Sequence, residues 1–276
     1  MEATIKYVYP VKHLLELAPY FTDQYEGIDK YKQKNPVHQG WRNSEPKFKV
    51  SWLLQEDTDL NSNIVSQVQK ILNKISESNY TTMLSELKNV NITNHYQLNN
   101  MVDIIFEKAV LEMTYTSLYA KICGEFIPYY VVEENKKIYF RSILVELCKR
   151  TLSKYFNVIE KLPIDKEASH IHRLLGCVGF TGELFNIGLI PDEIIYKIFL
   201  LLKSKFNKED YYVVDSFTKL YSCIGEKFFK KAPQYANEIH ELLIEFKSAS
   251  HITKKNKFTI IDTLNIAKKN NWFNNN

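Results

Sequence analysis

The chain has 276 residues, of which 45% are apolar and 25% charged, and its formal net charge is +4. That length allows one large domain or two small ones, with a core big enough to stand without disulfides, and the mild positive charge permits RNA contact without requiring it. Cys123, Cys148, Cys177 and Cys223 are widely spaced with no CxxC or CxxH pattern, which excludes a disulfide framework and a zinc site and reads as reduced core thiols of a cytoplasmic protein.

Residues 1–63 carry Pro10, Pro19, Pro36 and Pro46, scattered aromatics and no sustained helical period. They are read as an extended arm that cannot bury enough surface to fold alone. Within the arm, Tyr9-x4-Leu14-Leu15 has the spacing of a segment that folds on binding: one helical turn presents both leucines to an apolar groove while Tyr9 reaches back. Pro10 suits a first helical position, where its missing amide would have been unpaired, and Pro19 ends the turn. The same spacing recurs at Tyr139/Leu144/Val145 and at Tyr196/Leu201/Leu202, inside apolar helical patterns, where it reads as core. No apolar run is long enough for a signal peptide or a membrane span.

From residue 64 the pattern becomes helical. Leu98, Met101, Val102, Ile105, Phe106 and Ala109 recur with helical spacing, as do Phe140, Leu144, Leu147 and Cys148, and later Tyr235, Ile239, Leu242, Leu243 and Phe246. Gly188 suits a helix C-terminus, and Pro191 followed by Asp192 and Glu193 suits the next first turn, where acids complement the helix dipole. The segments 64–92, 94–130, 136–188, 190–230 and 234–270 then form about five helical hairpins with a period of roughly 40 residues. Each has too little core alone, so neighbours must stack. The fold class is all-α: a HEAT-repeat-like α-solenoid over 64–276, preceded by the arm over 1–63. Residues 129–132 form one short β-prone run in a connection.

Four pieces now stand in a recognisable order: ILNKIS at 71–76, VDIIFEKAV at 102–110, SLYAKIC at 117–123 and GFTGELF at 179–185. Together they resemble the middle HEAT domain of eukaryotic translation initiation factor 4 gamma, the scaffold of the cap-binding complex. The resemblance implies a domain without catalysis that clamps the DEAD-box RNA helicase of the initiation complex and touches mRNA without sequence specificity. It assigns the helicase contact to Leu72, Ile75 and Tyr80, with Ile75 and Tyr80 standing where the family commonly has Leu and Phe. Read on their own, Leu72 and Ile75 lie one turn apart and read first as core residues of the first hairpin; the resemblance reverses that reading. The resemblance also makes Tyr9, Leu14 and Leu15 the contact for an mRNA cap-binding protein.

Other patterns have plainer readings. Gly176, Gly179 and Gly182 form GxxGxxG without a preceding strand, which is close helix packing rather than a phosphate loop. His170 and His172 lie on nearly opposite helix faces and cannot share a metal. Glu183, in an apolar stretch, is expected to be internally bonded and to link adjacent repeats. Lys136-Lys137, Lys149-Arg150, Lys230-Lys231, Lys254-Lys255 and Lys268-Lys269 are basic pairs that would track RNA phosphates if they converge on one face. No catalytic, metal or cofactor constellation is present in the sequence. The expected function is a translation-initiation scaffold with no DNA or membrane partner. The alternatives are a related adaptor in mRNA decay, splicing or poly(A)-linked regulation, or an RNA-binding solenoid without a helicase.

Overall fold

Helical periodicity, caps and breakers translate directly into elements. The computed structural model describes residues 59–158, 164–206 and 211–272. Tyr9, Leu14 and Leu15, and the arm that holds them, lie outside the described residues. Within them the helices are α1 (Asp59–Lys74), α2 (Tyr80–Lys88), α3 (His95–Leu111), α4 (Thr116–Glu125), α5 (Phe140–Val158), α6 (Ile164–Asn186), α7 (Asp192–Ser204), α8 (Tyr211–Lys231), α9 (Pro233–Ser248) and α10 (Lys254–Lys269). They pair in order as five hairpins, the HEAT-like arrangement expected. The first helix begins at Asp59, ahead of residue 64.

The start signals operate as their chemistry requires. Asn94 caps α3 by accepting from the Gln97 amide at 2.9 Å, and Thr253 caps α10 by accepting from the Asn256 amide at 3.1 Å. Gly188 closes α6 at φ +81°, where its amide donates to the Phe185 carbonyl at 2.9 Å, and Leu189 donates to Leu184 at 2.9 Å. Pro191 is the residue before α7, with Asp192 and Glu193 in the first turn.

Successive hairpins stack through like helices: α4 on α6, α6 on α8, α8 on α10, and α1 on α3, α3 on α5. Leu98, Met101, Val102, Ile105, Phe106 and Ala109 on α3 are all buried. Each large apolar side chain removed from water in this way contributes roughly 1.5–3 kcal/mol. Of the two internal copies of the Tyr-x4-Leu pattern, Tyr196, Leu201 and Leu202 lie in α7 with Leu202 fully buried, and Leu144 is buried in α5, but Tyr139 precedes α5 and is 41% exposed rather than core.

The connection between α4 and α5 holds a feature only half foreseen. The β-prone run is strand β1 (Tyr130–Glu133), and it pairs antiparallel with β2 (Lys136–Tyr139), Tyr130 opposite Tyr139 and Val132 opposite Lys137. Glu134 and Asn135 make the turn with φ 49° and 60°, the positive values that a tight two-residue hairpin needs. The Lys-Lys pair hides β2 in the sequence, because lysine is a poor strand former.

Candidate functional site

The turn from α1 into α2 is built by Ser76 and Asn79. The Asn79 side chain accepts from the Ser76 amide at 2.7 Å and donates to the Lys74 carbonyl at 2.8 Å, so one residue ties off the end of α1. A single 3-10 turn over Glu77–Asn79 then leads into Tyr80. Of the three residues assigned here, Leu72 is 1% exposed and Ile75 9%, whereas Tyr80 is half-buried against the core. Leu72 and Ile75 are therefore core in this chain, and of the three only Tyr80 reaches the surface. The physical reason is that Leu72 shares the inward stripe of α1 with Val68 and Ile71, both buried.

Tyr80 is surrounded by charge. Lys121 on α4 meets Glu77 at 3.3 Å, and Lys88 meets Glu125 at 2.6 Å. Burial, and then the Glu125 and Glu77 carboxylates, push the Tyr80 phenol above its ordinary pKa, so it stays a neutral donor. A partly buried aromatic inside a polar rim has the anatomy of an interface anchor.

Farther along, α6 packs tightly against α3 on one side and α8 on the other. A Cβ on Gly176 would lie 2.0 Å from the Val110 carbonyl oxygen, and one on Gly182 2.7 Å from Cys223 Sγ. The GxxGxxG pattern is thus helix packing. Glu183 bonds internally, as expected: the Cys223 thiol donates to its Oε1 at 3.4 Å, and Asn186 Nδ2 donates to the Cys223 carbonyl at 3.0 Å. Burial first, and then Glu183, push the Cys223 thiol well up, which makes it inert. Beside the α6–α8 seam a cleft of about 340 Å³ is bordered by Met113, Ser117, Gly179, Glu183, Lys219 and Ser222.

A second polar network escaped the sequence. Arg173 on α6 donates from Nε to the Tyr155 hydroxyl at 2.7 Å and pairs with Glu107 on α3, joining three helices. Nearby, Asp103 is pushed up to about 7, chiefly by burial and then by Glu107, against the opposing pull of Arg150. No local spacing could reveal partners that meet only after folding. His170 sets its ring edge-on to Tyr155 at 4.6 Å, and burial lowers its pKa. Among the described residues no group of His, Cys, Asp and Glu could hold a metal, and no helix is long and apolar enough to cross a membrane.

The five hairpins coincide with a known domain: residues 65–270 match the MIF4G domain. The chain belongs to the MIF4G domain family. It is 24% identical over 283 residues to eukaryotic translation initiation factor 4G of Oryza sativa subsp. japonica, an alignment covering 93% of this chain and 15% of the relative. It is 25% identical over 250 residues to eukaryotic translation initiation factor 4 gamma 1 of Mus musculus, covering 79% of this chain and 15% of that protein. The chain thus spans a small part of the length of these relatives. Its fold is shared with the MIF4G domain of Trypanosoma cruzi translation initiation factor EIF4G5, with a TM-score of 0.50 at 19% identity, covering 75% of this chain and 96% of the other. This MIF4G domain therefore shares its helical fold with that structure, and the half-buried Tyr80 sits at its first turn.

Proposed function

We propose that the protein is a cytoplasmic translation-initiation scaffold. The HEAT-like domain binds a DEAD-box RNA helicase through the first turn, with Tyr80 as anchor and Leu72 and Ile75 supporting it from within the core. The arm binds an mRNA cap-binding protein through Tyr9, Leu14 and Leu15. The observation that carries this reading is the MIF4G match over residues 65–270, in a chain whose relatives are named as translation initiation factors 4G.

Its action is binding, not turnover. Holding the helicase and the cap-binding protein on one chain raises the helicase's effective concentration at the mRNA. Preferential affinity for one arrangement of the helicase lobes would also shift that equilibrium.

The arm and the domain are tested separately, by pull-down with the purified full chain. Tyr9→Ala with Leu14→Ala removes contacts worth roughly 2 kcal/mol or more each. The double variant is expected to lose the cap-binding protein and to keep the helicase. Retention of the cap-binding protein at wild-type affinity refutes the arm assignment. A wild-type chain that captures neither protein makes the domain an adaptor for another mRNA process.

A further inference from the structure

Helix α8 is interrupted at Gly225, where the backbone takes φ 45° and ψ −146°. That combination is essentially confined to glycine. The interruption is held from α6. Asn186 donates from Nδ2 to the Cys223 carbonyl at 3.0 Å, the acceptor that an unbroken helix would give to the Lys227 amide. Lys227 Nζ in turn donates to the Asn186 carbonyl. A break fastened on both sides by named partners is a built feature of the helix.

Trp272 lies over this break. Asn271 ends α10 at φ 50°, its amide donating to the Lys268 carbonyl at 3.2 Å and the Trp272 amide to the Ala267 carbonyl at 3.1 Å. This helix ending folds the next apolar side chain back toward the helix. A Cβ on Gly225 would lie 3.2 Å from Trp272 Cζ2, so only glycine leaves the indole its place. Tyr221, one turn before the break, and Phe229, one turn after it, have ring centroids 5.7 Å and 5.8 Å from the indole, and Phe229 is nearly parallel to it at 23°. Both walls are fixed by other neighbours. Tyr221 is fully buried with its hydroxyl 2.9 Å from His240 Nδ1, and the buried Phe229 ring stands edge-on to Phe228. Trp272 itself is only half-buried. The walls rest on the core, and the indole rests on the walls.

We infer that the break in α8 is a docking slot for a flat aromatic side chain, and that Trp272 is its ligand held within the same chain. The indole leaves and returns with the end of α10 while the slot stays folded. So short a tether gives the indole an effective concentration of roughly millimolar or more. A free aromatic compound therefore competes poorly while Trp272 is present and enters once it is removed. The inference stands apart from the partners proposed above.

The test uses the full chain and N-acetyl-tryptophanamide as the probe. Trp272→Ala is expected to melt below wild type and to bind the probe saturably, with its melting temperature raised back toward wild type. The wild type is expected to bind it at least about tenfold more weakly, because its slot is filled. Phe229→Leu added to Trp272→Ala removes one wall and is expected to abolish binding. N-acetyl-leucinamide, apolar but not flat, is expected not to replace the probe. Absence of saturable binding by Trp272→Ala overturns the slot. Equal binding by the wild type or by the double variant puts the probe elsewhere and overturns it too, and so does equal binding of the leucine compound. A Trp272→Ala chain that does not fold shows that the walls depend on the indole, which also overturns the proposal.

A second measurement leaves the slot unaltered. The chain has three tryptophans, so Trp41→Phe with Trp52→Phe leaves Trp272 as the single indole, and acrylamide quenching of its fluorescence reports its exposure alone. The indole is expected to be shielded at low temperature and to become quenchable well below the temperature at which the helical circular-dichroism signal is lost. Quenching as free as in the urea-unfolded chain at every temperature overturns docking. A rise that coincides with global unfolding overturns the exchange.

Discussion

Around Gly176 and Gly182, α6 has no room to yield, whereas the turn from α1 into α2 leaves Tyr80 half-buried inside a ring of surface ion pairs. Both regions rest on the same continuous apolar core, so the difference lies in what the outer side chains meet. Along α6 they meet backbone and each other: at the α3–α6 seam the Val110 carbonyl fills the space a Gly176 side chain would need, and at the α6–α8 seam Glu183 and Asn186 bond across to Cys223. At the first turn they meet flexible lysines and glutamates that a partner can displace at little cost, because exposed ion pairs contribute only about 0–1 kcal/mol each. The middle of the domain is thus fixed by close packing, while the first turn keeps one accessible aromatic ring, the feature on which the proposed contact rests.

Substitutions can break that contrast or sharpen it. Leu72→Asp puts an unpaired charge into the shared core and is expected to cost roughly 4 kcal/mol or more, read as a collapse of the urea midpoint. A folded Leu72→Asp chain with weakened helicase binding would instead make Leu72 a surface contact and erase the division between anchor and support. Gly176→Val drives a side chain into backbone rather than into a movable side chain. Its expected cost is about 3 kcal/mol, at the upper end for overpacking; a near-neutral result would mean that the α3–α6 seam yields after all.

The Glu107–Arg173–Tyr155 network predicts a pH signature for the rigid half. The folded Asp103 carboxyl keeps its proton up to about pH 7, while its unfolded value is near 3.8. Between those values the folded chain binds more protons than the unfolded chain, so this group's contribution to stability falls as pH rises through the window. Asp103→Asn removes the ionisation. Relative to wild type it should gain stability at pH 8 and lose that advantage on acidification toward pH 4, as followed by thermal melting. An unchanged difference across the window would mean that Asp103 is ionised in the folded chain throughout.

Much of the architecture could be read from the chain because it depends on local periodicity. The spacing of Leu98, Met101, Val102, Ile105 and Phe106 is a helix face whatever surrounds it, and Gly188 with Pro191 punctuates α6 and α7 by backbone chemistry alone. The GxxGxxG run likewise announced close packing before its neighbours were known. What escaped was set by tertiary meetings. Arg173 finds Glu107 across 66 residues of sequence, and β2 forms from a lysine-rich run only because β1 supplies its ladder. Leu72 shows a different limit: its spacing from Ile75 fits both a partner contact and the core, and only the burial of α1 separates the two. Tyr80, one turn farther on, was identified through resemblance, and its charged rim became visible only when α4 was placed beside it.

The most direct measurement is the affinity of the full chain for the initiation-complex DEAD-box helicase by isothermal titration, with Tyr80→Asp beside the wild type. The account predicts measurable binding by the wild type and at least about tenfold weaker binding by a folded Tyr80→Asp chain, since replacing a central aromatic anchor commonly costs about 2 kcal/mol or more. Equal affinity of the two chains, or no binding by the wild type, would contradict it.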